Sequence, residues 1–284
     1  MHRARLLIFW DYDTQWGTDA DRRRGLPVQD QAGGAEYQCT ERLLELHAEY
    51  GAPACFAVVA AAALPGARPY HNPAQVRRLH ADGHEVASHG FRHEWIPELD
   101  LRALRNMLEQ SKRALEDCIG HRVTSFVPPY NQPFDYPSGL SFSRSERQAV
   151  PHDRTGLGRL CEALHETGYD FCRVAYRSLG ERALDRLMGR PMDRPSRLRR
   201  IGQVHCARLN TPCGFASATL AVVDRAVRTG GLVVAYGHPH SLQSSGAQAE
   251  RWLVPFLEHV RQLRRAGQLD VVLPRDLTAG VGCS

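Results

Sequence analysis

Acidic and histidine side chains occur at short spacings in this sequence, in a pattern that suits metal-dependent hydrolysis. Asp11 and Asp13 follow a short apolar run, and three residues lie between His89 and His93 in the pattern His-Gly-Phe-Arg-His. If the residues between the histidines form one helical turn, both imidazoles face one ion, and the carboxylate of Asp13 completes three ligands. We therefore predict a divalent metal site there, with Zn²⁺ the first choice and Ni²⁺, Co²⁺ or Mn²⁺ as alternatives.

Hydrolysis also needs a base, an acid and a group that holds the oxyanion. A bound Zn²⁺ lowers the pKa of its water towards ~7 and polarises a carbonyl. Asp11 lies two residues before Asp13, on the same side of an extended chain, so it is the predicted base. His238 is the predicted acid for the leaving amine, with His240 as the alternative. The amide of Tyr130, which follows two prolines, is the candidate for holding the oxyanion.

Five residues near these groups are predicted to contact the substrate, namely Trp16, Trp95, Pro129, Asn131 and His240. The two tryptophans suit stacking on a sugar ring, although a buried aromatic side chain fits the pattern equally well. Asn131 has two interpretations, a hydrogen bond to substrate or a turn cap.

Short apolar runs alternate with amphipathic segments, which predicts parallel strands separated by helices. The predicted strands are 6–10, 54–60, 84–88, 123–127, 170–174, 232–236 and 269–273. Because catalytic groups of such barrels lie at the carboxyl ends of the strands, the candidate residues are expected to converge. The predicted fold is one domain, 1–284, built as a distorted TIM-barrel-like (β/α)7 barrel. Segments 133–155 and 177–212 have weak periodicity and are predicted to be loop insertions.

Composition limits the class of protein. An apolar fraction of 43% with 24% charged residues excludes a disordered or coiled-coil chain. No apolar run approaches the roughly 18 residues of a membrane span, and no export signal is visible, so we expect a cytoplasmic protein without an integral membrane segment. The eight cysteines form no CxxC pair, which predicts buried free thiols.

The basic residues are almost all arginine, because only Lys112 among 36 is lysine. Two clusters stand out, 22–24 and 194–200. Arginine suits phosphates and carboxylates, although a solvated surface is the simpler interpretation. No nucleic-acid module accompanies the clusters, so no nucleic-acid partner is predicted.

Four segments together resemble the polysaccharide deacetylases, the NodB-homology domain of carbohydrate esterase family 4. They are Phe9-Trp10-Asp11-Tyr12-Asp13, Gly83-His84-Glu85-Val86-Ala87-Ser88-His89-Gly90-Phe91-Arg92-His93, Val127-Pro128-Pro129-Tyr130 and His238-Pro239-His240. The resemblance implies Asp11 as base and Asp13, His89 and His93 as metal ligands. It also implies a (β/α) barrel over nearly the whole chain.

The chain departs from the family pattern at the third segment, which normally opens with an arginine where this sequence has Val127. No convincing fourth motif is found, and its acidic residue would partner that arginine. Arg173 and Arg92 are the candidates to substitute for it.

The resemblance implies a metal-dependent hydrolase that removes acetyl from an N-acetylated amino sugar. A nucleotide- or lipid-linked precursor of surface polysaccharide or O-antigen is the predicted substrate, with the arginine clusters on its phosphates; a homo-oligomer is left open. One alternative is a hydrolase of cyclic amides or ureides in the same superfamily. The other is a catalytically silent carbohydrate-binding protein.

Overall fold

The computed structural model describes residues 3–28, 32–133, 155–175, 179–189 and 194–279. Within these ranges the strands are β1 Ala4–Tyr12, β2 Cys55–Val58, β3 Glu85–Ser88, β4 Ser125–Phe126, β5 Phe171–Val174, β6 Arg199–Ile201, β7 Val204–Arg208, β8 Leu232–Gly237 and β9 Leu269–Val271. The helices are α1 Thr14–Arg23, α2 Ala32–Tyr50, α3 Pro73–Ala81, α4 Leu101–Ile119, α5 Leu157–Glu166, α6 Leu179–Leu187, α7 Ser217–Thr229, α8 Glu250–Arg265 and α9 Pro274–Thr278. Short 3₁₀ turns cover Ala60–Ala63, Ile96–Glu98, Pro129–Asn131 and Pro239–Ser241.

The strands form one curled sheet in the order β6-β7-β5-β4-β3-β2-β1-β8. All pairings along it are parallel except β6 with β7. Strand β9 pairs with the first residues of β1, which precede the residues of β1 that pair with β2. The sheet curves into a half-barrel with helices packed outside, so the predicted TIM-barrel-like (β/α)7 fold is confirmed.

Side-chain alternation along β1 explains how the fold positions its polar residues. Leu6 and Ile8 pack in the layer beneath the helices, whereas Leu7 and Phe9 pack in a second cluster inside the curl of the sheet. Because successive side chains of a strand point to opposite faces, Asp11 lies on the same side as Phe9. The carboxylate therefore enters the barrel at its carboxyl-terminal end.

Asn210 bridges β8 to the segment that follows β7. Its amide nitrogen donates to the carbonyl of Leu232 at 2.8 Å, and its carbonyl oxygen accepts from the amide of Val234 at 2.9 Å. Thr211 adds a hydrogen bond to the carbonyl of Val234. A side chain thus satisfies backbone groups of β8 that a neighbouring strand would otherwise pair.

The structure corrects the prediction that 177–212 is a loop insertion, because α6, β6 and β7 lie within it. The edge strand β6 contains Arg199 and Arg200 and is largely exposed, so its sequence lacks the apolar pattern of a buried strand. Of the other predicted insertion, 133–155, residues 134–154 lie outside the described residues. Helix α1, which follows Asp13 directly, was not predicted because its sequence is strongly polar.

None of the described helices is long and apolar enough to cross a membrane. The seven cysteines in the described ranges are unpaired, as predicted. The sulfurs of Cys161 and Cys206 lie 3.9 Å apart.

Candidate active site

Asp13, His89 and His93 converge at the carboxyl-terminal end of β1 and β3. Asp13 Oδ1 lies 3.3 Å from His89 Nε2 and 3.7 Å from His93 Nε2, and one ligand atom from each residue falls within a 4.8 Å group. Both histidines are buried. The structure therefore brings together the three residues that sequence reasoning chose as ligands.

The loop that carries the two histidines is not the helical turn that their spacing suggested. Its backbone has positive φ at Gly90 (77°) and His93 (63°), and the Glu94 carboxylate accepts hydrogen bonds from the amides of Phe91 and Arg92. A Cβ at position 90 would lie 2.8 Å from a Glu94 oxygen. Glycine is required there, and a tight bend rather than helical periodicity aims both imidazoles at one point.

The donor atoms of this cluster fit a divalent metal ion. His89 Nδ1 lies 2.7 Å from the carbonyl of Val127, which makes it the protonated nitrogen and leaves the Nε2 lone pair facing Asp13. Asp13 Oδ1 is buried and has no hydrogen-bond partner among the described residues. Burial lowers the pKa of His89 to about 4 and that of His93 well below its ordinary value, so both imidazoles are neutral at physiological pH. Two neutral imidazoles and a carboxylate form a donor set suited to Zn²⁺ and related ions.

Asp11 is held by a buried arginine from β5. Arg173 Nη1 and Nη2 donate to its two carboxylate oxygens at 2.7 and 2.6 Å, and Nη2 also donates to Asn131 Oδ1 at 3.0 Å. Burial alone would raise the pKa of Asp11, but the charge and hydrogen bonds of Arg173 lower it to about 2. The carboxylate of Asp11 is therefore ionised and is held away from the three candidate metal ligands.

Arg173 is thus the arginine that pairs with Asp11, whereas Val127 is buried among apolar residues inside the barrel. The other candidate, Arg92, lies instead near the ring of Trp16, 5.2 Å from its centroid. Asn131, predicted to bind substrate or cap a turn, holds the guanidinium of Arg173.

His238 lies beside both aspartates. Its Nε2 is 4.0 Å from Asp11 Oδ2 and 4.0 Å from Asp13 Oδ2. Gln248 Oε1 accepts from the backbone amide of His238 at 2.6 Å and lies 3.1 Å from its Nδ1. An amide oxygen only accepts, so neutral His238 carries its proton on Nδ1 and turns the Nε2 lone pair towards the aspartates. Burial lowers the pKa of His238, which favours this neutral form.

His240 has a different partner, the buried carboxylate of Glu36 on α2. Glu36 Oε2 lies 3.4 Å from His240 Nδ1 and accepts from the amide of Thr14 at 3.3 Å. Burial opposes protonation of His240, but the hydrogen bond and charge of Glu36 raise its pKa above the ordinary value. The two histidines of the turn after β8 therefore differ in chemistry, one neutral and one tending to be protonated.

A cavity of about 150 Å³ opens beside the metal cluster, and its lining includes Asp13, Asp21 and His240. A second cavity, of about 350 Å³, shares Asp21 and extends along Tyr130 and Trp95. These cavities give the candidate substrate path. The linings contain carboxylates, His240 and neutral polar side chains but no arginine or lysine, which suits hydroxyl and amide groups better than phosphate.

The aromatic residues of the site are packed tightly. Tyr130 takes a left-handed backbone conformation (φ 59°), and its ring lies 4.6 Å from His93 and 4.8 Å from Trp95 between centroids. Trp95 is only 5% exposed, with the guanidinium of Arg24 4.0 Å above its ring, which agrees with the buried-aromatic interpretation. Trp16 packs edge-on against neighbouring rings.

Pro129 and the arginine cluster at 22–24 both pack against other parts of the protein. Pro129 is buried, and its Cγ would lie 3.4 Å from a Cβ at position 90, so it packs against the histidine loop. Arg22 pairs with Asp19 at 3.0 Å, and Arg24 pairs with Glu98 at 2.8 Å. Two of the three arginines at 22–24 are thus engaged with acidic side chains of the protein.

Three site residues were missed by sequence reasoning, namely Glu36, Asp21 and Gln248. Glu36 lies in an amphipathic helix, where a glutamate normally marks the solvated face. Glu36 is nevertheless only 1% exposed, beside leucine-rich turns of the same helix. Nothing in the sequence alone indicates this burial. Asp21 lies in α1, the helix that was not predicted.

Residues 30–137 match the family model described as polysaccharide deacetylase, which confirms the predicted resemblance. The matched segment contains His89, His93 and Tyr130, whereas Asp11 and Asp13 lie outside it.

Several solved structures share the fold. One is a Mycobacterium smegmatis protein provisionally assigned as a polysaccharide deacetylase, with 17% identity, coverage of 99% of this chain and 90% of that one, and a TM-score of 0.66. The Puue allantoinase has 14% identity, coverages of 98% and 90%, and a TM-score of 0.60. A Pseudomonas aeruginosa PAO1 protein, also provisionally assigned as a polysaccharide deacetylase, has 15% identity, coverages of 98% and 90%, and a TM-score of 0.59.

Proposed function

From the premise that this chain carries the polysaccharide deacetylase pattern over residues 30–137, we propose that it is a metal-dependent hydrolase that removes acetyl from an N-acetylated amino sugar. One observation carries the proposal: the carboxylate of Asp11 lies beside that of Asp13, but only Asp13 belongs to the group of candidate metal ligands. Asp13 joins His89 and His93, while Asp11 is turned away by two hydrogen bonds from Arg173. Hydrolysis by a metal and a separate base needs this division of roles.

Asp13, His89 and His93 are the residues that hold the metal. When bound, a divalent ion supplies Lewis acidity for the attacking water and the acetamide carbonyl. Zn²⁺ is the first choice for two imidazoles and a carboxylate, with Ni²⁺, Co²⁺ and Mn²⁺ as alternatives.

Asp11 takes the proton of the attacking water. The two hydrogen bonds from Arg173 keep this carboxylate ionised and fix its orientation, in the way that the absent arginine at position 127 would. The backbone amide of Tyr130 holds the oxyanion as the carbonyl carbon becomes tetrahedral. The leaving nitrogen then needs a proton from the turn His238-Pro239-His240, where His238 is the donor that the sequence predicts.

Acetate release tests the proposal, with N-acetylated amino sugars as substrates and D11A and H89A beside wild type. We expect both variants to lose at least ~100-fold in turnover, because each removes a whole catalytic function. D224A is the matched control, since Asp224 pairs with His259 on the helical exterior and is outside the site. Undiminished turnover in both site variants would end the proposal.

The substrate is proposed to be a cytoplasmic sugar precursor bearing an acetamido group, of the kind used in surface-polysaccharide or O-antigen assembly. Its phosphates are proposed to contact the arginines of the clusters at 22–24 and 194–200, because the guanidinium group suits phosphate. Binding of a nucleotide-linked acetamido sugar is expected to weaken with salt and in R197Q/R199Q/R200Q. Binding insensitive to both would remove the phosphate from the proposal and leave the deacetylation intact.

A cyclic amide or ureide hydrolase is the second candidate, since the Puue allantoinase has the same fold. The acetate assay separates the two when small cyclic ureides are tested in parallel. Tight sugar binding without turnover of either class, in metal-loaded protein, would favour a silent binding protein.

A further inference from the structure

We propose that a small cavity at the amino-terminal end of the barrel binds a phosphate-sized oxyanion. The cavity measures about 210 Å³ and is lined by Glu85 and Val86 of β3 and by side chains from the ends of α3 and α4 and from α9. It is separate from the candidate active site, because β3 begins at Glu85 and the candidate metal ligand His89 follows the opposite end of this strand. The inference does not depend on the proposed function.

Four of the eight residues that line the cavity are basic, and they come from three parts of the fold. His80 lies in the last turn of α3, His121 and Arg122 follow α4, and Arg275 lies in the first turn of α9. The rings of His80 and His121 have centroids 5.0 Å apart. The two arginines are charged and the histidines can become so, and positive groups that converge in this way are stabilised by a negative charge among them.

Glu85 is the one acidic residue of this lining, and both of its oxygens have partners within the protein. The hydroxyl of Ser125 donates to Oε1, and the backbone amide of Arg275 donates to Oε2 at 2.9 Å. Glu85 is buried, and the positive charge of Arg275 opposes the rise of its pKa that burial causes. Glu85 and Arg275 therefore compensate each other, and Arg122 is the cation that remains.

Arg122 has no counter-charge of its own. It is exposed and makes no hydrogen bond or ion pair with any residue of the described ranges. Among the acidic residues at the ends of α3 and α4, Asp82 and Glu116 form ion pairs with other basic residues, and Asp117 lines a different cavity. The planar guanidinium offers donors in a fork that matches the oxygens of a phosphate group.

The surroundings of His80 are also positive. Burial lowers the pKa of His80, and the charges of His121 and Arg275 lower it further. An oxyanion in the cavity would favour the imidazolium and raise this pKa. The hydroxyl of Thr124 also lines the cavity, so neutral and charged donors are both present for the oxygens of such a ligand.

A metal ion is the competing occupant, because two imidazoles and a carboxylate line the cavity. However, His80, His121 and Glu85 do not bring three ligand atoms within 4.8 Å of one another, and the oxygens of Glu85 already accept hydrogen bonds. The guanidinium groups of Arg122 and Arg275 would also repel a cation. The charges of the lining therefore favour an anion.

Helix ends account for only half of the basic cluster. Cations are stabilised near the carboxyl-terminal end of a helix, where His80 and His121 lie. Arg122 lies beyond Gly120, the residue that ends α4, and Arg275 lies at the beginning of its helix. An anion shared by the four side chains explains the whole cluster.

The size of the cavity limits the ligand. Pockets for drug-sized molecules measure ~300–1,000 Å³, so about 210 Å³ suits a single phosphate group rather than a sugar ring. That group is either free phosphate or the phosphate end of a larger molecule whose remainder lies in solvent.

The test uses inorganic phosphate as the probe, with chloride as the balancing anion at constant ionic strength. NMR of isotopically labelled histidines follows the rings of His80 and His121, which are assigned with H80Q and H121Q. We expect saturable shifts of both rings in wild type and a pKa of His80 that rises by about one to two units with phosphate. R122Q should weaken phosphate binding about tenfold or more, because it removes charge-assisted hydrogen bonds.

R102Q is the matched control, since Arg102 is exposed on α4 and does not line the cavity. It should bind phosphate as wild type does. Thermal unfolding gives a second measurement, because a ligand that binds the folded state raises Tm. Phosphate should raise the Tm of wild type and R102Q more than that of R122Q.

Uridine diphosphate, tested in parallel, distinguishes the two sources of the ligand. Tighter binding than inorganic phosphate would assign the cavity to the phosphate end of a larger molecule, and equal or weaker binding would assign it to the free ion. Phosphate that leaves the His80 and His121 signals unmoved at millimolar concentration would overturn the proposal. Equal weakening in R122Q and R102Q would also overturn it, as would saturable shifts of these rings with Zn²⁺ but not with phosphate.

Discussion

Replacement of Arg173 by methionine tests the electrostatics of the site most directly. Methionine keeps much of the length of the side chain but removes the guanidinium that donates to both oxygens of Asp11. Asp11 is 3% exposed, so the change leaves a buried carboxylate without its cation. Removal of one partner from a buried ion pair costs about 3–5 kcal/mol of stability.

The structure also predicts how this replacement changes the pKa of Asp11. In the wild-type protein the pKa of Asp11 falls from 3.8 to about 2 although burial opposes ionisation. Because one pKa unit corresponds to about 1.4 kcal/mol, the net preference for the ionised form is on the order of 2 kcal/mol. Without Arg173, burial dominates and the pKa of Asp11 rises above 3.8. The acidic limb of kcat/KM for acetate release should therefore move to higher pH in R173M.

As the pH falls, the charge state of Asp11 should change the stability of wild type and of R173M in opposite directions. In wild type the lowered pKa of Asp11 contributes stability that is complete above pH 4 and is lost as the pH falls towards 2. In R173M the raised pKa destabilises the fold at neutral pH, and protonation of Asp11 at lower pH relieves part of the deficit. Denaturant unfolding at pH 7 and pH 5 should show a smaller difference between the proteins at pH 5.

The double variant D11N/R173M is the matched control for this prediction. It has no buried charge at either position, so it should be more stable at pH 7 than R173M and should lack deacetylase activity. An R173M protein with the wild-type acidic limb and wild-type stability would refute the assignment of Arg173. So would a double variant no more stable than R173M.

Three further changes test other parts of the structure. G90A places a Cβ 2.8 Å from a Glu94 oxygen at a positive φ, so it should lower stability by about 1–3 kcal/mol and weaken metal binding. Its control is G34A, at an open helical position, which should be neutral or slightly stabilising. Thermal unfolding and metal titration measure both effects. N210A removes the acceptor of the Val234 amide, whereas the Leu232 carbonyl keeps its hydrogen bond from the amide of Ser196. The variant should lower stability by about 1–3 kcal/mol in denaturant unfolding, and wild-type stability would contradict the bridging role. H89A should abolish stoichiometric divalent metal in elemental analysis, whereas retention of one ion per chain would place the metal elsewhere.

Local sequence patterns were sufficient for the strands that end at Asp11, His89 and His238 and for the candidate metal ligands, but not for β6 and β7. Each strand that ends near the site is a short apolar run, and its polar residue follows at the point where the run stops. Asp13, His89 and His93 could be found because parallel strands place their carboxyl ends together, whatever the details of packing. The bend at Gly90 was misread, because a spacing of four residues fits a helical turn and a tight loop alike.

The sequence by itself determined the barrel and the groups that follow its strands, since apolar periodicity and residue type are local properties. Only the tertiary structure decided which cation meets which carboxylate. Arg173 and Asp11 are 162 positions apart, and Glu36 and His240 are 204 apart, yet each pair lies in contact. The free energy of a buried charge depends on its surroundings after folding, and those surroundings come from distant strands and helices that no local pattern describes.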